Sequence, residues 1–375
     1  MKKLVAIILA AAILMPHALA APSAPEIPAP NAVLMERDTG RILYQKGAHD
    51  KLPPASVTKV MTLLLVMEAL DTGKIKMTDM VTVSPHAASM GGSQVYLKAG
   101  EQMSMTDMLK ATVIASGNDS ATALAEHVSG SEEGFVSLMN ARAKELKMND
   151  TQFLNCTGLP ADGHVSSAYD IAIMSAALLK HKEIKKYTTI WMDTLRGGAF
   201  GLANTNKLIR SYKGITGLKT GSTDAAKYCM AASAARNGME LIAAIMAAPT
   251  SKERFGSASK LLDFGFANFT LFDATRDFKE SAVPVLLGTC KSVSAILGGS
   301  SRILIEKISA KDVKCAVELA KNVRAPVKAG QKLGEIKIYN GKTEISSVPI
   351  VAKTSVAKLT TGDIFWRLLA QSWMK

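Results

Sequence analysis

The sequence predicts an α+β fold on three observations. Residues 56–70, 105–116, 120–128, 132–146 and 168–180 carry helix-forming runs, several with apolar residues at helical spacing. Residues 230–235 and 240–247 are apolar, strand-length runs either side of Asn237-Gly238, a hairpin turn signal in the same stretch of chain. Beyond Asp273 the pattern shifts to short alternating segments, with Asn340-Gly341 between residues 332–339 and 342–345. Helices and strands mixed within one stretch, followed by a β-rich stretch, point to α+β.

Taken in order, 375 residues suffice for two to three domains with substantial cores. Lys2 and Lys3 precede an apolar run of about 12 residues, Pro16 and Ala18-Leu19-Ala20, which predicts a secretory signal peptide over residues 1–20. The run is too short to span a bilayer. Residues 21–30 read as a Pro/Ala linker. Residues 32–35 and 41–44 flank Asp38-Thr39-Gly40 and predict a hairpin opening a domain over 31–275. The helix at 56–70 is apolar nearly all round, hence buried, yet carries Lys59 near its start. A β-rich domain is expected over 276–355. In the last segment, 356–375, Asp363, Arg367, Gln371 and Lys375 share one helical face and Ile364, Phe365, Trp366, Leu368, Leu369 and Trp373 occupy the rest. That pattern predicts an amphipathic helix suited to an anionic membrane surface.

The formal charge of +13 raises the question of a polyanionic partner. Residues 21–275 hold 26 basic and 24 acidic side chains, whereas 276–355 hold 14 and 7 and 356–375 hold 3 and 1. The excess therefore belongs to the C-terminal hundred residues, and export argues against nucleic acid. Four cysteines without CxxC and six histidines without HExxH point to no metal and no cofactor. Cys290 and Cys315 fall in the same predicted domain, which leaves a bridge or two thiols open.

Three motifs carry chemistry: Ser56-Val57-Thr58-Lys59, Ser116-Gly117-Asn118 and Lys219-Thr220-Gly221. A serine hydroxyl needs a base to become a nucleophile, and Lys59 lies one helical turn from Ser56. Burial and a neighbouring cation, with Lys219 the candidate, would lower the Lys59 pKa enough for that role. Ser116 is expected to relay a proton to the leaving amine and Asn118 to hold the substrate amide. The Lys219-Thr220-Gly221 strand edge would dock an extended peptide, and the N–H groups of Ser56 and Ser222 would stabilise an oxyanion. SxxK occurs three times, at Ser56, Ser257 and Ser355, but SxN and KTG occur once each, and only Ser56 precedes both, SxN by 60 residues and KTG by a further 103. His164 has no acid or serine positioned by sequence to orient it and reads as a loop residue.

With these motifs in this order, the chain resembles the low-molecular-mass penicillin-binding proteins of the serine D-alanyl-D-alanine carboxypeptidase group. The resemblance covers nearly the whole mature chain. It implies a penicillin-binding-protein/β-lactamase-like transpeptidase domain, an antiparallel sheet with helices, followed by a small β-rich domain and a C-terminal amphipathic helix. It implies catalytic roles for Ser56, Lys59, Ser116, Asn118 and Lys219, a peptidoglycan stem peptide as substrate, and β-lactams as acylating ligands. Gly92-Ser93, Val95-Tyr96-Leu97, Thr157-Gly158-Leu159, Gly163-His164 and Asp170 also resemble family context. Arg254 matches a family arginine that helps bind the terminal carboxylate, with a structural ion pair as the other reading. Three rivals stay open at this level: a β-lactamase, for which no Glu-x-x-Leu-Asn is found; a D,D-endopeptidase with the same motifs; and a non-catalytic wall-binding shape protein.

Overall fold

The computed structural model describes residues 23–373. The expected signal peptide lies outside the described residues. Strand β1 (Asn31–Glu36) pairs with β2 (Ile42–Lys46), and the chain then leaves the sheet for about 170 residues before returning as β3 (Ile215–Thr223), β4 (Lys227–Arg236) and β5 (Met239–Ala248). The strands form one antiparallel sheet in the order β2-β1-β5-β4-β3. β5 is central and almost wholly buried, which explains an apolar run with no alternation. β3, carrying Lys219-Thr220-Gly221, is an edge strand.

The intervening chain forms the helical side of the domain: α1 (Lys59–Asp71), α2 (Met105–Val113), α3 (Asn118–Ser129), α4 (Glu132–Glu145) and α5 (Ala168–Leu178). Nine consecutive α1 residues from Lys59 to Met67 are buried, as its all-round apolar sequence requires. Serine caps fix where several helices begin: Ser104, Ser131 and Ser167 each accept the N–H three residues on. The opposite face of the sheet is covered by α6 (Ser251–Asn268), whose Leu261, Leu262 and Phe266 pack with Leu34, Leu241 and Ile245.

Two boundaries differ from the sequence reading in ways that matter for the site. Residues 55–58 form a 3₁₀ turn and the α-helix begins only at Lys59. Ala55, which opens that turn just before Ser56, has φ of 48°, and Gly158 packs so closely that a Cβ there would lie 1.9 Å from the Ala55 carbonyl oxygen. The third helix begins at Asn118 instead of 120, with Gly117 as N-cap, so the SxN asparagine opens a helix.

After β6 (Phe269–Asp273) the chain builds a second β unit from β7 (Ser281–Leu286), β8 (Ser292–Leu297), β9 (Arg302–Glu306), β10 (Val313–Leu319), β11 (Val323–Arg324), β12 (Lys332–Asn340) and β13 (Thr343–Ala352). Six of these form a sheet in the order β10-β12-β13-β8-β7-β11, while β6 and β9 pair separately. The hairpin expected here joins β12 to β13, but its two-residue turn is Gly341-Lys342, one residue later than expected, because Asn340 still pairs with Thr343. Arg41 donates to the Leu304 carbonyl (3.1 Å), Arg302 to that of Gly238 (3.3 Å), and Lys307 to that of Phe266, joining the two units. No disulfide joins Cys290 to Cys315. Helix α7 (Thr361–Trp373) closes the described chain, with Ile364, Phe365 and Trp366 exposed.

Candidate active site

The three motifs come from distant parts of the chain and meet between β3 and the helical side of the domain. Lys59 is fully buried at the start of α1. Its Nζ lies 3.2 Å from Ser56 Oγ, 2.6 Å from Asn118 Oδ1 and 2.7 Å from the Thr157 carbonyl oxygen. A neutral amine has two N–H bonds and one lone pair. Donation to Asn118 and Thr157 uses both hydrogens, and the lone pair is left facing the Ser56 hydroxyl. Burial drives the Lys59 pKa down to about 7, opposed by the smaller influence of Cys156 and Asp119.

Lys219 is likewise buried, with Nζ donating to Ser116 Oγ (2.8 Å) and to the Thr220 carbonyl (3.0 Å). Its pKa is also lowered, by burial first and then by the charges of Lys59 and Arg254. The expectation that Lys219 depresses Lys59 therefore needs correction: desolvation in the apolar surroundings of α1 dominates at Lys59.

Asn118 is held from both ends, its Nδ2 donating to the Gly91 carbonyl (2.6 Å) while Oδ1 accepts from Lys59. The second Nδ2–H remains for a substrate carbonyl. Next to it, fully buried Asp119 accepts N–H bonds from Val95 (3.0 Å) and Leu97 (3.1 Å), fastening the 93–97 loop to the SxN turn. That locked carboxylate, the Thr157 carbonyl and Thr205 are site components the motif reading missed. Thr205 Oγ1 accepts from Thr220 Oγ1 (2.7 Å), and the buried Asn204 and Asn206 fix its loop. Only contacts between residues far apart in sequence reveal these three.

Gly221 explains why KTG ends in glycine. A Cβ there would sit 2.8 Å from Ser56 N and 2.9 Å from Val57 N, so β3 and the Ser56 turn meet backbone to backbone. Ser222 follows, exposed at the edge. Arg254 lies on the α6 side of the sheet, donating to the carbonyls of Gly221 (3.3 Å) and Cys229 (3.5 Å) and to Ser251 Oγ (3.1 Å). Its guanidinium stacks on Phe255 and Tyr228, and burial lowers its pKa to about 10. Among the described residues no carboxylate pairs with it, so the ion-pair reading does not hold.

His164 Nδ1 accepts the Leu154 N–H (3.1 Å), which leaves its Nε2–H to donate to Thr58 Oγ1 (2.8 Å). Burial holds its pKa down to about 4. It braces the Ser56 turn, and among the described residues no serine or acid hydrogen-bonds it. Among the described residues no carboxylate hydrogen-bonds Ser56 or Lys59, the arrangement a fast β-lactam hydrolase would need.

Such a pair, a buried lysine and a half-buried serine, beside a strand edge and a second Ser-Lys pair is competent for acyl transfer. Residues 18–250 match the family model described as D-alanyl-D-alanine carboxypeptidase, and residues 266–358 match that of the penicillin-binding protein 5 C-terminal domain. The D-alanyl-D-alanine carboxypeptidase DacF of Bacillus subtilis is 46% identical over 88% of this chain and 86% of its own. DacC of Escherichia coli is 36% identical over 94% of this chain and 90% of its own. Among solved structures, penicillin binding protein 5 from Haemophilus influenzae superposes with a TM-score of 0.80 at 34% identity, covering 90% of this chain and 99% of that one. The motifs, their assembled geometry and these likenesses agree, and the chain belongs to the D-alanyl-D-alanine carboxypeptidase family, as a serine-type, penicillin-binding hydrolase.

Proposed function

We propose that Ser56 is the nucleophile of a D,D-carboxypeptidase that trims the terminal D-alanine from peptidoglycan stem pentapeptides. The single observation that carries this is the fully buried Lys59 amine 3.2 Å from Ser56 Oγ, its pKa near 7. As the Ser56 oxygen adds to the carbonyl between the two D-alanines, its proton passes to Lys59 Nζ. The negative charge on the carbonyl oxygen is stabilised by the N–H groups of Ser56 and Ser222. The C–N bond then breaks, and the proton held by Lys59 passes through Ser116, which Lys219 holds in place, to the leaving amine, so that Lys59 is a neutral amine again. Water attacks the acyl-enzyme, the Lys59 amine again accepting a proton, and Ser56 is restored. Asn118, Thr220, Gly221 and Ser222 bind the peptide along the β3 edge, and Arg254 supports that edge from behind.

The C-terminal features support a proposal for its place. An amphipathic helix with exposed Phe365 and Trp366 follows a strongly basic β unit, and no helix among the described residues is long and apolar enough to cross a membrane. On this proposal the enzyme is exported by its N-terminal signal segment and rests peripherally on an anionic membrane surface, with its site turned to the cell wall.

Mass spectrometry of the products from a stem pentapeptide and from a cross-linked peptide dimer tests the activity. Release of one D-alanine from the pentapeptide at the higher kcat/KM is expected. Faster cleavage of the cross-link would assign an endopeptidase instead.

A further inference from the structure

The carbonyl that orients Lys59 is itself held from a helix that carries none of the three motifs. Each backbone polar group of Cys156 and Thr157 has a partner. The Cys156 carbonyl accepts from Thr62 Oγ1 (2.6 Å) and the Thr157 carbonyl from Lys59 Nζ (2.7 Å). Thr62 and Lys59 stand three residues apart on α1, so both bonds draw the segment against that helix. The Thr157 N–H donates to Asn155 Oδ1 (3.2 Å), a contact local to the loop. The Cys156 N–H is tied instead to α4, where Glu132 Oε1 accepts it at 3.0 Å.

Glu132 is the first residue of α4, just after the Ser131 cap, and its side chain is only 13% exposed. Its other carboxylate oxygen meets His86 Nε2 at 2.7 Å, and the Cys156 thiol also hydrogen-bonds the carboxylate. Burial opposes the Glu132 charge, but these bonds hold its carboxyl below the usual carboxylate range. Eight residues along the same helix, Asn140 exchanges two bonds with the Phe153 backbone, Nδ2 donating to its carbonyl (2.8 Å) and Oδ1 accepting its N–H (2.9 Å). Helix α4 thus carries the segment that presents the Thr157 carbonyl to Lys59.

Resting on the reading of Lys59 as the base for Ser56, we infer that Glu132 is a positioning residue for acyl transfer: by holding the Cys156 N–H it fixes the Thr157 carbonyl, and that carbonyl fixes where the Lys59 lone pair points. What counts is the reach of the side chain and its acceptor oxygen, not its charge. Without the carbonyl, the Lys59 amine can turn about its Cε–Nζ bond and offer Ser56 Oγ an N–H. The carbonyl also supports the ammonium more strongly than the amine, so its loss lowers the Lys59 pKa beyond what burial does. Acylation should become slower and its rising pH limb should move to lower pH together. The other charged or titratable groups stand elsewhere: Asp119, Cys156 and Lys219 face Lys59, while His86, Glu126 and Glu133 lie on the Glu132 side.

The test is the pH dependence of the acylation rate constant, read as β-lactam adduct formation by the full chain under excess β-lactam. Such a rate constant does not depend on the folded fraction. Glu132→Gln keeps the reach and an acceptor oxygen, whereas Glu132→Asp keeps the charge, suits the first turn of a helix and falls a methylene short. The Gln variant is expected within about threefold of the native chain, its limb still near pH 7. The Asp variant is expected to acylate about ten- to a hundredfold more slowly at the plateau, with the limb about half to one pH unit lower. His86→Gln leaves a donor to Glu132 and should keep the limb in place. A fast Asp variant, a slow Gln variant or an unmoved limb in the Asp variant would reduce Glu132 to a charge at a helix start and overturn the inference. So would a limb lost with His86→Gln, which would place the titration on the surface. No adduct in the native chain would overturn the reading of Ser56 and Lys59, and the inference with it.

Discussion

Desolvation is what turns Lys59 from a cation into a base. An ammonium at that position has three acceptors around it but, among the described residues, no carboxylate in hydrogen-bond contact, and apolar α1 side chains displace the water that would otherwise support its charge. The consequence is measurable as a pH profile. The unprotonated fraction falls about tenfold per unit below the pKa, so kcat/KM for D-alanine release should rise with unit slope up to about pH 7 and level off above it. A limb centred near 4 would instead implicate His164, whose own pKa lies there. Replacing Lys59 with Ala should slow acylation by about 10²–10⁴-fold, read as the rate of β-lactam adduct formation. At this scale the sequence was most legible. Ser56 and Lys59 are three residues apart, and local helical geometry places both on one face without knowledge of the rest of the chain. The Thr157 carbonyl and Asp119 were illegible because a backbone acceptor carries no residue signature and a buried carboxylate declares itself only through the loop it ties down.

Between elements, the decisive contact is that of β3 with the Ser56 turn. Helix α1 was expected to start at the nucleophile, but the 3₁₀ turn at Ala55–Thr58 intervenes and lets Gly158 and Gly221 approach from opposite sides. Gly221→Ala should lower kcat/KM by about 10²-fold with circular dichroism unchanged, since a Cβ 2.8 Å from Ser56 N must shift the nucleophile or the strand. Gly158→Ala is more severe: φ is +84° and the clash is with backbone, so a lowered Tm is expected alongside lost activity. Strongly periodic or apolar elements such as α1, α4, β4 and β5 were readable. Helix α6 was passed over although Thr250 and Glu253 carry the T-x-x-E signature of a helix start, the Thr250 hydroxyl both accepting the Glu253 N–H and donating to its carboxylate. The short strands at 192–195 and 200–203 were missed for a different reason. Four residues give too little pattern, and their role is to carry the loop that sets Thr205 beside Thr220.

Across the whole molecule, charge and chemistry are separated. The helical and sheet unit holding the site is nearly neutral, and the basic excess sits on the β unit and α7. Deleting residues 361–375 should abolish binding to vesicles of anionic lipid while D-alanine release from a soluble peptide continues, and raising salt should weaken vesicle binding of the intact chain. Binding that survives the deletion would move the membrane contact to the β unit. The proposed activity requires one bond above all, the ester at Ser56. Incubation of the full chain with a β-lactam, followed by proteolysis and mass spectrometry, tests it most directly. The account predicts one adduct, on the peptide containing Ser56 and long-lived enough to isolate, and none in Ser56→Ala, which also fails to release D-alanine. An adduct on Ser116 or elsewhere, or D-alanine release by Ser56→Ala, would contradict it.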